Sequence, residues 1–480
     1  MTGRPMISRP APAPAALARS RAWHAELAWL PGRGVCADVL IEAAGDRFTA
    51  VTPEVSGDAI PAGLRPGLTR LPGLTLPGMA NAHSHAFHRA LRGATQVGAG
   101  TFWTWRERMY QVAAKLDPDS YLALARAVYA EMALAGITCV GEFHYLHHGP
   151  DGVPYADPNE MSRAVIAAAG QAGIRITLLD TCYLSGGLSP DGRPQPLAGP
   201  QLRFGDGDAE AWAQRATDLG ADEHGLLSPL ARAGAAIHSV RAVPAGQMHP
   251  VIAWAQRYGA PLHAHVSEQR EENQASLAAY RRTPAEVLYE AGALGPRSTA
   301  VHATHLVGRD IELLGGSRTY ACLCPTTEAD LADGIGPARA LATAGSPLTL
   351  GSDSQAVIDM FEEARRVELG ERLASGQRGH FRAGELARAA TTDGHTSLGW
   401  PDAGEIAAGA IADLVTVGLD SPRLAGATQT TALASVVFAA NAADVRNVVV
   451  GGADLVVDGH HLLVNDVPAA LSAAIRPLLD

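Results

Sequence analysis

The sequence has almost no lysine: Lys115 is the only one among 480 residues. It follows the polar stretch that contains Arg108 and lies away from every predicted strand end. Schiff-base chemistry needs a lysine amine in the active site, and a carbamylated lysine that bridges two metal ions needs the same residue there. The scarcity of lysine therefore argues against both kinds of chemistry.

Long hydrophobic runs and basic clusters are also missing. No uninterrupted apolar run reaches about 18 residues, the length that a membrane-spanning helix requires. Residues 4–21 are rich in Pro and Ala without a continuous apolar core, so we expect a flexible arm over residues 1–24 rather than a secretory signal. The net charge is −11 at pH 7, which argues against nucleic acid and anionic membranes as partners.

The cysteines are few, odd in number and scattered. Four of the five lie inside apolar runs, a pattern typical of reduced, buried thiols, and we expect a cytoplasmic protein. The spacing of Cys322 and Cys324 also suits a pair of metal ligands, but packing along a strand is the favoured interpretation.

What the chain does have is an alternation of short apolar runs with helix-length amphipathic segments between Leu74 and Gln355. This alternation predicts parallel strands joined by crossover helices, and therefore an α/β fold with a TIM-like (β/α)8 barrel. The eight predicted strands are residues 74–85, 137–145, 174–183, 235–240, 261–268, 299–306, 320–325 and 347–353. The predicted helices include residues 119–135, 159–172, 244–258 and 284–291. In such barrels the active site lies at the carboxyl ends of the strands.

Two regions outside the barrel have the pattern of β structure, residues 29–71 and 404–459. Neither is long enough for a comfortable domain alone, so we expect them to pair into one small β-sandwich domain built from both chain ends. The predicted limits are 25–73 and 401–480 for this domain and 74–400 for the barrel. Residues 185–200 are rich in Gly and Pro, which predicts a loop over the barrel mouth.

Histidines and an aspartate follow three of the predicted strands. His83 and His85 are one residue apart, so both imidazoles leave the same face of the first strand. With His265 from the fifth strand and Asp353 from the eighth, they predict a site for one divalent ion, zinc first, with an open position for water. The alternatives are a ligand role for His263, which we interpret as a core residue, and a helix N-cap role for Asp353. Iron and other metals suit the same donors.

Two further residues are candidates for the chemistry beside such an ion. Glu268 follows His265 by three residues and is the candidate general acid and base, together with Asp353, the alternative being a solvated glutamate in a charged run. His302 ends the sixth strand and is the candidate for stabilising a tetrahedral intermediate, with His305 as its competitor. A further group is interpreted as a surface cluster without a metal role: His144, His147 and His148.

With these residues in place, the chain resembles the amidohydrolase superfamily over nearly all of its length after the N-terminal arm. The pair His265 and Glu268, with His302 and Asp353, is similar to the mononuclear deaminase branch of that superfamily. Residues 404–414 and 445–459 look like the strands of its C-terminal β domain. Several other stretches resemble the formimidoylglutamate deiminase family within that branch, namely residues 83–90, 102–110, 141–145, 238–241 and 324–328.

The resemblance implies hydrolysis of N-formimidoyl-L-glutamate to N-formyl-L-glutamate and ammonia, a step of histidine degradation, by a homodimer. A substrate with two carboxylates needs cationic and hydrogen-bonding partners inside an otherwise acidic protein. Arg241, after the fourth strand, is the first candidate, and a surface arginine is the alternative. The other candidate substrate-binding residues are His88, Trp105, Arg106, Tyr145 and His238, of which His88 stands where relatives can carry Gln.

Two other functions stay open at this point. One is a deaminase of the same superfamily that acts on a guanine-, cytosine- or adenosine-like ring, which would need a flatter and less cationic pocket. The other is a barrel that binds a metal without catalysis. The presence of Glu268 and His302 beside the predicted ligands argues against the second.

Overall fold

The computed structural model describes residues 20–97 and 100–479. Residues 1–19 of the predicted N-terminal arm lie outside the described residues. The last five residues of that prediction, 20–24, belong to the strand Ser20–Leu30 instead. Within the described ranges, no helix combines the length and apolar character needed to cross a membrane.

Eight parallel strands, labelled β1 to β8, form the predicted barrel. Their bounds are Met79–Ser84, Ile137–His144, Arg175–Cys182, Ala231–Ile237, Leu262–Val266, Ser298–His302, Tyr320–Leu323 and Leu348–Leu350. Neighbouring strands pair in chain order. A short strand, Leu226–Ser228, pairs antiparallel with β4 and is not one of the eight. The first and last strands meet through a parallel bridge between Ser84 and Asp353. The (β/α)8 prediction is confirmed.

Helices connect the strands of this barrel, and further helices lie in the segments that follow its last strand. The described helices are Phe102–Lys115, Pro118–Leu134, Glu160–Ala172, Ala209–Asp218, Met248–Arg257, Arg270–Tyr280, Pro284–Glu290, Gly308–Gly316, Pro325–Asp330, Ala338–Ala344, Met360–Ser375, Ala383–Ala390, Thr392–Ser397, Ala432–Ala439 and Val467–Leu479. Local sequence sets their ends: Pro118 begins its helix, and the Asp117 carboxylate accepts the Ser120 backbone N–H.

Strands from both chain ends form a second sheet, as predicted. Its eight strands, in spatial order, are His460–His461, Ala453–Val457, Val445–Val450, Leu414–Val417, Leu68–Pro77, Ser20–Leu30, Gly34–Ala44 and Arg47–Thr52. One pairing, Ser20–Leu30 with Leu68–Pro77, is parallel and the others are antiparallel. The strands follow one continuous path around a separate apolar core that includes Trp23, Ile41 and Phe48.

The predicted first barrel strand, residues 74–85, is in fact parts of two strands. Leu68–Pro77 belongs to the small sheet and Met79–Ser84 to the barrel. Gly78 separates them where a Cβ atom would collide with the side chains of Thr138 and Asp413. The Pro77-Gly78 step was the available signal for this change of sheet, but the prediction joined the apolar residues on its two sides into one strand. The domain limits given above stay a prediction.

A buried ion pair joins the two domains below the barrel. The Arg175 guanidinium, at the start of β3, donates to the Asp413 carboxylate, which precedes the strand Leu414–Val417. Asp413 also accepts the Gly451 backbone N–H at 2.7 Å. The two charged side chains are 2% and 0% exposed. Removing one partner would leave the other charge buried and uncompensated.

We expect Asp413→Ala to lower the free energy of unfolding by about 3–5 kcal/mol for that reason. Asp420→Ala is the matched control, because Asp420 pairs with Arg446 at the surface and is 77% exposed. Urea-induced unfolding followed by tryptophan fluorescence measures both. Equal midpoints for the two variants would contradict the structural role of the Arg175 and Asp413 pair.

Candidate metal centre and pocket

The candidate ligands lie where the barrel closes. The Asp353 backbone N–H donates to the His83 carbonyl at 3.0 Å, and the His85 N–H donates to the Asp353 carbonyl at 3.2 Å. Asp353 adopts a left-handed backbone with φ of +41°, a costly conformation for a residue other than glycine. The hydrogen bonds that close the barrel therefore also fix the positions of three candidate ligands.

The side chains of the four candidate ligands converge at this point. The Nε2 atoms of His83 and His265 are 3.2 Å apart. The Asp353 Oδ1 atom lies 3.4 Å from His83 Nε2 and 3.5 Å from His85 Nε2. All four residues are buried, and the three histidines form one group of ligand atoms within 4.8 Å of one another.

Two of the imidazoles are held in a single tautomer. The Nδ1–H of His85 donates to the Phe143 carbonyl at 2.9 Å, and that of His265 donates to the His238 carbonyl at 2.9 Å. Each Nε2 lone pair therefore faces the cluster. Burial lowers the pKa of His85 to about 3 and the pKa of His265 well below its usual value. Neutral imidazoles of this kind are suited to bind a cation.

The donor set fits a divalent ion of zinc type. Ligand atoms at about 2.0–2.2 Å from a four- or five-coordinate zinc lie roughly 3.0–3.5 Å from one another. The three distances measured above match this range. Three imidazole nitrogens and one carboxylate oxygen also leave a coordination position open.

A buried polar network that the sequence reading missed supports these ligands. Asn81 accepts the Ser352 backbone N–H at 2.9 Å, and Gln355 Nε2 donates to the Ser84 hydroxyl at 2.9 Å. That hydroxyl donates in turn to Glu142 Oε2 at 2.8 Å, while Glu142 Oε1 accepts the Ala86 N–H at 2.6 Å. Burial raises the pKa of Glu142 to about 7. A glutamate inside the apolar run of the second strand was the available signal.

The two candidate catalytic residues face each other across the cluster. His302 Nε2 lies 3.8 Å from Glu268 Oε1 and 3.9 Å from Asp353 Oδ2. The Glu328 carboxylate is 3.5 Å from the other ring nitrogen. Burial opposes protonation of His302, but these three carboxylates outweigh it and raise its pKa to about 10. His305 is half-buried and does not line the pocket.

Arg241 contacts two acidic residues and is not the surface arginine of the alternative interpretation. Its Nη2 donates to Glu268 Oε2 at 3.0 Å, and its Nε lies 3.9 Å from Glu272 Oε2. Glu272 also accepts the Glu268 backbone N–H at 3.0 Å. The Arg241 side chain is 12% exposed. Glu272, another residue that the sequence reading missed, thus holds both Arg241 and Glu268.

A pocket of about 220 Å³ opens onto the cluster. Every predicted substrate-binding residue lines it: His88, Trp105, Arg106, Tyr145, His238 and Arg241. Trp105 and Arg106 reach it from the helix Phe102–Lys115. Gly186, Gly187, Leu188 and Gln195 of the predicted mouth loop complete one wall. Tyr110 and Tyr183, which were not predicted, also line the pocket.

The interpretation of His144, His147 and His148 as a surface cluster is wrong. All three are buried outside the pocket. His148 Nε2 lies 3.0 Å from Asp206 Oδ1, and Arg215 on the helix Ala209–Asp218 pairs with both Asp206 and Asp180. Sequence alone did not reveal that this helix buries the region. His263 is a core residue as expected, with Nε2 3.1 Å from the Ser397 carbonyl, and Cys322 and Cys324 are buried thiols.

Comparisons with known proteins agree with this architecture. The family model described as Amidohydrolase family matches residues 74–454. A curated formimidoylglutamate deiminase from Pseudomonas aeruginosa is 38% identical over 446 residues, which cover 89% of this chain and 95% of that protein. An 8-oxoguanine deaminase from the same species is 30% identical and covers 80% of this chain and 83% of its own length.

Solved structures show the same fold. A crystal structure of an amidohydrolase from Brucella melitensis has a TM-score of 0.84 and 31% identity, and the match covers 96% of this chain and 100% of that one. An adenosine deaminase from Xanthomonas campestris with bound zinc has a TM-score of 0.77 and 24% identity, over 96% and 97% of the two chains. The chain belongs to the amidohydrolase family.

Proposed function

We propose that the protein hydrolyses N-formimidoyl-L-glutamate to N-formyl-L-glutamate and ammonia. The observation that carries this proposal is the composition of one pocket, in which a cluster of three histidines and one aspartate lies beside two arginines, Arg106 and Arg241. Two guanidinium groups in a pocket over a metal-type cluster suit a small dicarboxylate better than a neutral ring. The Pseudomonas relative of that name supports the choice.

His83, His85, His265 and Asp353 would hold one divalent ion per chain, most favourably zinc. When bound, such an ion acts as a Lewis acid and lowers the pKa of a water ligand toward neutrality. The network through Ser84 and Glu142 would keep the histidine ligands in place without reorganisation.

In this proposal, Glu268 and Asp353 accept and donate the protons that are transferred during the reaction. A C–O bond forms between the attacking water and the formimidoyl carbon, and Glu268 accepts the proton that the water loses. Glu268 delivers this proton to the imino nitrogen, which becomes the amino group of the adduct. Asp353 accepts the proton of the adduct hydroxyl as the C=O bond forms, and transfer of this second proton to the same nitrogen lets the C–N bond break with release of neutral ammonia rather than an amide anion. His302, 3.8 Å from Glu268 Oε1, donates a hydrogen bond that stabilises the charge on the tetrahedral adduct of the substrate.

The remaining pocket residues bind the glutamate portion of the substrate. Arg241 and Arg106 pair with its carboxylates, Arg106 being placed by stacking 4.4 Å from the centre of the Trp103 ring. His88 and Tyr145, whose polar atoms are 3.0 Å apart, hydrogen-bond near the formimidoyl group. Trp105 and His238 close the sides. The proposal includes a cytoplasmic location, a homodimer and a role in histidine degradation.

Replacing the proposed proton shuttle should abolish turnover without loss of the ion. Glu268→Gln keeps the size and the Arg241 contact but cannot transfer the proton, so we expect kcat to fall by about 100-fold or more. Ammonia release and metal content, measured on the same preparation, check this. Near-normal activity with full metal content would contradict the assignment.

Metal binding should depend on the four predicted ligands. We expect about one metal ion per chain in the purified protein by elemental analysis, and a large loss of bound metal in His265→Asn. His263→Asn is the control, since His263 lies two residues away on the same strand but in the core, so its variant should retain the metal if folded. Equal metal content in both variants would refute the ligand assignment.

The substrate class is tested by a comparison of ammonia release from N-formimidoyl-L-glutamate, guanine, cytosine and adenosine. We expect formimidoylglutamate to be preferred, and Arg106→Met to raise its KM by about tenfold or more with little change in kcat, because Arg106 would bind a carboxylate away from the reacting carbon. Arg108→Met, on the exposed face of the same helix, is the control. Preference for one of the three bases or nucleosides would defeat the proposal.

A further inference from the structure

Gln201 lies behind the pocket wall rather than in it. It is 7% exposed and belongs to the short 3-10 turn Gly199–Arg203, which follows the mouth loop. Its side-chain Nε2 lies 3.0 Å from the Tyr110 hydroxyl, 3.2 Å from the Tyr183 hydroxyl and 3.2 Å from the Gly186 carbonyl. One side chain thus connects a helix, the end of β3 and the mouth loop, three elements that line the pocket.

The turn that carries Gln201 is firmly mounted. Two residues further on, the buried Arg203 guanidinium donates to the carbonyls of Ala113, Leu116 and His148, the last two at 2.6 and 2.9 Å. Two of these carbonyls lie at the C-terminal end of the helix that carries Tyr110. The position of Gln201 relative to Tyr110 is therefore fixed by contacts outside the pocket.

The orientation of the Gln201 amide follows from its backbone partners. The Gly186 carbonyl can only accept a hydrogen bond and the Ala198 N–H, 3.3 Å from Gln201 Oε1, can only donate one. The amide nitrogen must therefore face Gly186 and the two tyrosines. That nitrogen can only donate and carries two N–H groups, so the Gly186 carbonyl and one tyrosine oxygen accept at a time, and the tyrosine that accepts directs its own O–H proton elsewhere.

A hydroxyl proton of Tyr110 or Tyr183 can be directed into the pocket. At most one of Tyr110 and Tyr183 can donate to the other, so at least one proton remains available to the pocket that both residues line. The Arg106 guanidinium lies 5.7 Å from the centre of the Tyr110 ring. A hydroxyl donor beside a guanidinium suits a carboxylate, and an uncharged amide less well.

We propose that Gln201 is a positioning residue that sets the preference of the pocket for a carboxylate, by holding Tyr110 and Tyr183 as hydrogen-bond donors. The inference rests on the proposed function, in which the substrate carries two carboxylates. Gln201 itself touches neither the substrate nor the metal cluster.

The test compares N-formimidoyl-L-glutamate with its two mono-amides, N-formimidoyl-L-glutamine and N-formimidoyl-L-isoglutamine. In Gln201→Met we expect the acid-to-amide ratio of kcat/KM to fall by about tenfold for one of the amides, through a higher KM for the acid and a kcat within about twofold of the original. Gln214→Met, on an exposed helix position, should leave the ratio unchanged. A variant that loses activity equally on acid and amides, or keeps the ratio, would overturn the proposal.

Two further measurements test the inference if Gln201→Met does not fold or if the protein does not hydrolyse formimidoylglutamate. Tyr110→Phe combined with Tyr183→Phe should lower the same ratio, and adding Gln201→Met to that pair should lower it no further. If Gln201→Met does not fold, the tyrosine variants decide alone, and an unchanged ratio refutes the proposal. If the original protein releases no ammonia from formimidoylglutamate, the proposed function fails, and calorimetric affinities for N-formyl-L-glutamate and N-formyl-L-glutamine provide the ratio instead.

Discussion

The site depends on one constraint, the closure of the barrel between its first and last strands. The hydrogen bonds between His83, His85 and Asp353 join residues about 270 positions apart in the sequence, and the same residues carry three of the four candidate ligands. The barrel cannot close in another register without moving the Asp353 carboxylate away from the imidazoles. Closure of the barrel is thus coupled to the geometry of the cluster.

Left-handed backbones and buried polar groups occur at the carboxyl ends of several barrel strands. Ser267, His302, Ala303, Asp353 and Gln355 all have left-handed backbones although none is glycine. Such conformations persist only where the surrounding structure over-determines them. The polar network through Asn81, Ser352 and Gln355 supplies that support at Asp353 and Gln355. The result is a cluster held by backbone and side-chain hydrogen bonds, beneath a pocket whose walls include the helix Phe102–Lys115 and residues of the loop after β3.

Sequence predicted the barrel, the second β domain and the residues of the cluster because those features have strong local signals. An apolar run that ends in His or Asp marks a strand end, and strand ends of a parallel barrel meet at one face. The same reasoning missed Glu142, Glu272 and Gln201, since their roles depend on partners far away in the chain. It also misjudged His144, His147 and His148, because their burial is a property of tertiary packing. The change of sheet at Gly78 was missed although the Pro77-Gly78 step signals it, because apolar residues lie on both sides of that step.

The central claim is that His83, His85, His265 and Asp353 hold a single metal ion at the point of closure. Anomalous diffraction from crystals of the purified protein, collected on both sides of the zinc absorption edge, tests it most directly. The account predicts one strong peak within about 2.0–2.3 Å of the three Nε2 atoms and the Asp353 carboxylate. A peak elsewhere, or two peaks in the cluster, would contradict it.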